Sequence, residues 1–215
     1  MSLEAPTSLI SSIRAGAISL GVFAIVTAAA ISLTYVAGSE SIAANKAAAK
    51  ARALGEVMPP HLYDQSLLSA PQTLVDYGQL NVNSQAVGYA AVKAGITQAL
   101  VLPVIAKDGY SGNISLLVGI DKHGSIQGVR AIEHKETPGL GDKVERKKSP
   151  WIESFNGRSL ANTPTDDWAV TKDGGVFDGF TGATITPRAV VNAVHQGLLY
   201  HQRHRSALYS VAQEQ

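Results

Sequence analysis

The sequence predicts an α+β protein: a single N-terminal transmembrane helix followed by one domain with a mostly antiparallel sheet and flanking helices. Three observations carry this reading. The run Ala15 to Val36, AGAISLGVFAIVTAAAISLTYV, has no charge. Four apolar or alternating runs between residues 86 and 134 are separated by turn signals. The stretch from Thr186 to His201 keeps helical spacing behind a Thr-Pro start.

At 1.5 Å per residue the uncharged run extends about 33 Å as a helix, enough to cross a bilayer core. It is longer than the roughly 7–15 residues of a signal-peptide core. It therefore reads as a retained anchor in the lipid bilayer, residues 15–37, behind an N-terminal tail, 1–14. Ala24, Ala28 and Ser32 share one face at small-xxx-small spacing, and Tyr35 suits an interface. Arg14 and the amino terminus face Glu4 ahead of the span, while Lys46, Lys50 and Arg52 face Glu40 and Glu56 behind it. A positive-inside count on these flanks leans towards a cytoplasmic domain.

The next segment, SIAANKAAAKARALGEV, is built of strong helix formers and reads as a helical stalk over 38–60, ended by Met58-Pro59-Pro60. A polar passage, 61–84, follows. The runs AVGYAAV (86–92), QALVLPVIA (98–106), NISLLVGID (113–121) and SIQGVRAIEH (125–134) read as strands. Asp108-Gly109 and Lys122-His123-Gly124 lie between neighbouring runs and predict antiparallel hairpins. PWIESFNGR (150–158) reads as a short helix closed by glycine. The domain is expected over 61–205, with 206–215 as a C-terminal tail.

Composition narrows the function. The chain of 215 residues has a net charge of +1, so no long-range field points to nucleic acid. It has no cysteine, which excludes disulfides, thiolate catalysis, iron–sulfur ligation and thiolate zinc sites. A redox role would need a bound cofactor.

Two stretches carry chemistry. In DGFTGATITPRAVVNAV, Asp178 to Val194, Thr186-Pro187 predicts a helix start with Thr186 as its cap. Thr181 and Thr184 then stand before a helix N-terminus, which favours an anion such as phosphate, and Gly182 and Ala183 are small enough for a bulky ligand to approach. In HKETPGLGDK, His134 to Lys143, two glycines and a proline predict a sharply turned loop after the fourth strand. There Glu136 and Thr137 are candidates to hydrogen-bond a polar ring edge. An ordinary sheet-to-helix connection is the other reading of that loop.

DGFTGAT, Asp178 to Thr184, resembles the Asp-x-x-(Ser/Thr)-Gly-Ala-Thr signature of the covalent-FMN-binding domain family. Together with GYSGNISLLVGIDKHGSIQGVRAIEHKETPGLGDKV, Gly109 to Val144, it is similar to the G subunit of the Rnf ion-translocating oxidoreductase complex. The resemblance runs from the anchor to the last helix. It implies that a flavin transferase moves the FMN moiety of FAD onto Thr184 as a phosphoester, with Thr181, Gly182 and Ala183 forming the turn. It assigns Asp178 to transferase recognition or to turn stabilisation, and the loop Glu136, Thr137, Pro138, Gly139, Leu140 and Gly141 to lining the flavin.

The implied function is an electron carrier without stand-alone catalysis. Its partners would be other membrane subunits of the Rnf complex that hold flavin and iron–sulfur centres. The absence of a G-x-G-x-x-G fingerprint and of a P-loop fits a tethered flavin. The resemblance implies a periplasmic domain on the bacterial inner membrane, against the flanking-charge count. Two alternatives share the signature: the C subunit of the sodium-translocating NADH:quinone reductase, and an FMN-based membrane redox sensor.

Other features read as structural. No metal site is expected; His195, His201 and His204 read as solvated polar positions, and His134 as a strand-end histidine beside the loop. Trp151 and Trp168 read as core or edge residues. The basic run Lys143 to Lys148 reads as a solvated face or subunit contact.

Overall fold

In the strand Ile96–Gly109, Leu100, Leu102 and Val104 are buried on one face while Ala99 and Val101 are buried on the other. Alternate residues point to opposite faces of a strand, so an unbroken apolar run means a strand covered on both sides. The computed structural model describes residues 7–210 and shows what the two covers are.

The elements are α1 (Thr7–Val57), β1 (Pro71–Thr73), β2 (Val87–Lys93), β3 (Ile96–Gly109), β4 (Gly112–Asp121), β5 (Ile126–Glu133) and α2 (Ile185–Ser210). The five strands form one antiparallel sheet in sequence order; β2 to β5 are joined by hairpins or short turns, and β1 reaches β2 through residues 74–86, which include the 3₁₀ turn Tyr77–Leu80. The four predicted strands are present. β1 is an addition: it pairs Pro71 to Thr73 with Tyr89 to Val87, inside the passage expected to be polar and irregular. Pro103 is tolerated in β3 because the β2 pairing stops at Tyr89↔Val101.

The chain divides into two compact units, residues 1–49 and 50–215. In the first, α1 carries the apolar segment Ile13–Tyr35, long and apolar enough to cross a membrane. Its large side chains are exposed, with Phe23 at 66% and Leu33 at 71%. A helix apolar on all sides and buried against nothing suits lipid. The helix already includes Thr7 to Arg14, residues expected as a tail; positions 1–6 lie outside the described residues.

In the second unit, α2 covers one face of the sheet, packing Val190, Val191, Val194 and Leu198 with Leu100, Leu102, Val104, Leu116 and Val118. The other face is covered by the end of α1 and the residue after it: Leu54 and Val57, with Met58, pack with Tyr89, Ala99, Val101 and Leu117. The register partners Gly119 and Gly128 make room for this helix end. A Cβ on Gly119 would lie 2.3 Å from the Val57 carbonyl oxygen, and one on Gly128 would lie 2.9 Å from the Val57 Cα.

Between β5 and α2 the chain forms short 3₁₀ helices, and the short helix expected over 150–158 is one of them, Pro150–Phe155. α2 continues to Ser210, and positions 211–215 are outside the described residues. His195 and His201 do not lie in solvent as expected. They are 8% and 2% exposed, His195 stacked on Trp168 with ring centroids 5.1 Å apart.

Candidate functional site

The acceptor stretch begins where the core ends. Phe177 is buried and stacked on Phe155, and Phe180 is buried edge-on against Trp151. Trp151 also donates its indole N–H to the carbonyl of Asp178 at 2.7 Å. Asp178 thus stabilises the turn through its main chain, while its side chain is exposed and takes no hydrogen bond or ion pair among the described residues.

The chain then reverses. Ala183 N–H donates to the Phe180 carbonyl at 3.1 Å, with Gly182 at φ +81°. That positive φ in the third position of a turn is where glycine costs least. Thr181 and Gly182 are exposed on the crest, and Ala183 and Thr184 are half-buried.

α2 begins at Ile185, so Thr184 immediately precedes its first residue and Thr186 lies inside the first turn. This corrects the expectation that Thr186 is the cap. Its side chain is fully buried and donates to Oε2 of Glu136. The other oxygen of Glu136, Oε1, accepts the Ser111 N–H at 2.9 Å from the β3–β4 turn. Glu136 is 4% exposed, and a buried carboxyl is stable only when its oxygens are satisfied in this way.

Glu136 therefore joins the two sequence motifs. Gly141 is where they touch: a Cβ there would fall 2.7 Å from Glu136 Oε2 and 2.9 Å from Thr186 Oγ1. Leu140 reaches across to the acceptor turn, with its Cδ2 3.3 Å from where a Gly182 Cβ would stand. The loop holds its own shape. The Thr137 carbonyl accepts from the N–H groups of Leu140 and Gly141 at 3.1 Å, and the Gly139 N–H donates to Asp142 Oδ1 at 2.8 Å. Thr137, Pro138, Gly139 and Leu140 are exposed; Glu136 and Gly141 are buried beneath them. The glutamate predicted to meet a ring edge is instead engaged internally at both oxygens.

His134 is structural here. Its Nδ1 accepts the Glu136 N–H at 3.2 Å, which leaves Nε2 to donate to Glu145 Oε1 at 3.1 Å. Arg188, in the first turn of α2, forms two bonds of 2.6 Å with Asp173. The hydrogen bond from Arg188, more than its charge, holds the Asp173 carboxyl below its ordinary range. The basic run is also partnered in part, Arg146 with Glu153 at 2.5 Å and Lys148 with Asp142 at 3.7 Å.

Sequence reasoning missed two anchors of the site, Ser111 and the Trp151 indole. A glycine-flanked hairpin tip was the only signal for the first. For the second, the link to Asp178 spans sequence-distant segments.

The acceptor stretch thus places a half-buried threonine hydroxyl directly ahead of a helix, beside a small-residue turn and an exposed glycine-proline loop. The fold and this arrangement define the class: residues 109–199 match the FMN-binding domain family, and residues 1–57 match the RnfG N-terminal region. Relatives extend over nearly the whole chain. The G subunit of the ion-translocating oxidoreductase complex of Pseudomonas aeruginosa is 44% identical over 89% of this chain and 90% of its own. That of Vibrio cholerae is 41% identical over 94% and 96%, and that of Pseudoalteromonas atlantica 42% identical over 91% of each. The chain belongs to the family formed by the G subunits of ion-translocating oxidoreductase complexes. Among solved structures, Shewanella oneidensis NqrC aligns with a TM-score of 0.47 and 22% identity over 71% of this chain and 74% of that one.

Proposed function

We propose that this chain is the membrane-anchored flavoprotein subunit of an Rnf electron transport complex, with FMN held by a phosphoester to Thr184. The observation that supports it most is the position of Thr184, half-buried and directly ahead of α2, in a turn braced by Trp151 on one side and Glu136 on the other. Bound there, FMN supplies one- and two-electron redox chemistry.

The residues present fit that group. Unpaired N–H groups in the first turn of α2 favour its phosphate charge. Gly182 and Ala183 keep the approach free of large side chains. In maturation, Thr184 Oγ gives up its proton and takes the FMN phosphoryl group of FAD from a flavin transferase, with AMP as the leaving group. Asp178, held by its carbonyl and bare at its carboxylate, serves recognition by that transferase. The exposed loop Thr137 to Leu140 lines the flavin, and the other subunits of the complex, carrying flavin and iron–sulfur centres, exchange electrons with it. The subunit has no stand-alone catalysis and sits in the bacterial inner membrane with a periplasmic domain.

Mass spectrometry tests the attachment. After co-expression with a flavin transferase, the peptide containing Thr184 is expected to gain one FMN-sized adduct and to fluoresce in a denaturing gel. Thr184→Ala should abolish both. An adduct that survives this substitution would refute the assignment.

A further inference from the structure

A cavity of about 120 Å³ lies beside the C-terminal half of α2, where the helix meets the β4–β5 turn and the loop around Ser159. It is far from the acceptor turn: His201 stands about 25 Å down the helix from Thr184, at 1.5 Å per residue. Leu160 and Leu198 give the cavity an apolar wall, and the exposed Arg205 and His123 border it. Its buried polar side chains are Ser159 and His201, 8% and 2% exposed. Each keeps a donor in reserve. The Ser159 hydroxyl oxygen accepts the Asn162 N–H at 3.2 Å, and its own proton is donated to no group among the described residues. His201 Nε2 is 3.0 Å from the Tyr209 hydroxyl, while Nδ1 makes no hydrogen bond among the described residues. Burial raises the Tyr209 pKa, so the phenol stays protonated and can donate to Nε2, which leaves the ring proton on Nδ1.

No carboxylate lines the cavity among the described residues. Asp121, on the turn that carries His123, has its oxygens occupied within the hairpin: they accept the N–H groups of His123 and Ser125 at 2.8 and 3.0 Å and the Gln127 amide at 2.9 Å. Spare donors beside an always-charged guanidinium suit an anion, and the guanidinium fork matches the two oxygens of a carboxylate. We propose that this cavity binds a small carboxylate with a short aliphatic body, its oxygens held by Arg205, Ser159 and His201 and its carbon atoms set against Leu160 and Leu198. The apolar wall favours such a ligand over inorganic phosphate, because aliphatic carbon gains by leaving water and phosphate has none. Pockets for drug-sized ligands begin at roughly 300 Å³, so neither a nucleotide nor a flavin fits here. The site lies outside the flavin reading and does not rest on the attachment at Thr184.

The test uses the full-length chain, co-expressed with flavin transferase and purified in detergent, and sodium butyrate as the probe. Saturation-transfer NMR titrates butyrate binding, and thermal unfolding is followed in parallel; sodium chloride at equal ionic strength, neutral butyramide and inorganic phosphate are the references. Butyrate should bind with a Kd on the order of 1–10 mM and raise Tm above all three references. Arg205→Gln should weaken binding at least fivefold and Ser159→Ala at least twofold. Arg203→Gln removes the same charge from an exposed position on the same helix and should leave binding unchanged. A circular dichroism spectrum and an unliganded Tm like those of the native chain verify folding of each variant. Butyrate that does no better than chloride or butyramide, or that binds native and Arg205→Gln chains equally, would overturn the site. Phosphate binding in place of butyrate would overturn the carboxylate.

Discussion

His201 is 2% exposed on α2, with Nε2 3.0 Å from the Tyr209 hydroxyl. Burial first, and then the nearby charge of Arg205, lower its pKa to about 4, against a smaller opposing effect of Asp121. A folded-state pKa below the unfolded value means that the unfolded chain binds the proton more readily as pH falls. The stabilisation is therefore complete above pH 6.5 and is lost progressively between 6.5 and about 4. By pH 5 this histidine should cost about 2 kcal/mol relative to neutral pH. His195 shifts in the same direction through burial. Thermal unfolding at pH 7.5 and 5 should show the loss, and His201→Gln should flatten the pH dependence; an equally steep profile in the variant would remove His201 as its cause. Neither burial was legible locally. His195 is buried by Trp168 and His201 by packing near Tyr209, contacts that helical spacing does not reveal. The turn ahead of Thr184 was legible because its small residues are compact in sequence. The role of Thr186 was misread because Thr-Pro is a general helix-start signal, whereas its partner Glu136 lies 50 positions away.

The sheet works as an element because both faces are spoken for. Gly119 and Gly128, side by side in β4 and β5, let the backbone of α1 at Val57 come closer than any side chain would allow. Gly119→Ala should destabilise the chain by about 1–3 kcal/mol, the usual cost of overpacking, and loosen the last turn of α1. Gly55→Ala is the control: a Cβ there meets nothing within 4 Å, and helix propensity favours it by up to about 1 kcal/mol. Thermal unfolding in detergent compares them, and equal stability of native and Gly119→Ala chains would show that the helix end is not held by this notch. The strands themselves were readable from apolar runs and turn residues. β1 was not, since three residues of Pro-Gln-Thr carry too little alternation to register. Nor did the glycines reveal their purpose, because a helix end crossing a sheet is invisible to local pattern.

At the scale of the molecule, two kinds of information disagree. Basic residues are denser behind the span than ahead of it, which favours a cytoplasmic domain. The orientation we propose is the opposite one, since large domains can be translocated against weak charge bias. A C-terminal phosphatase that folds only in the oxidising periplasm should be active when fused to this chain; activity confined to a cytoplasmic reporter would reverse the orientation. The span and the single domain were legible because composition changes sharply along the chain. The joining of the two motifs was not, since it runs through a glutamate that looked like a ligand contact. The braced acceptor turn has a last consequence, for the order of assembly. Its ends are fixed by Trp151 and by Glu136, yet its crest at Thr181 and Gly182 faces outward. In the attachment proposed at Thr184, the transferase would meet a turn whose shape the protein's own side chains hold, so that loading can follow folding instead of guiding it.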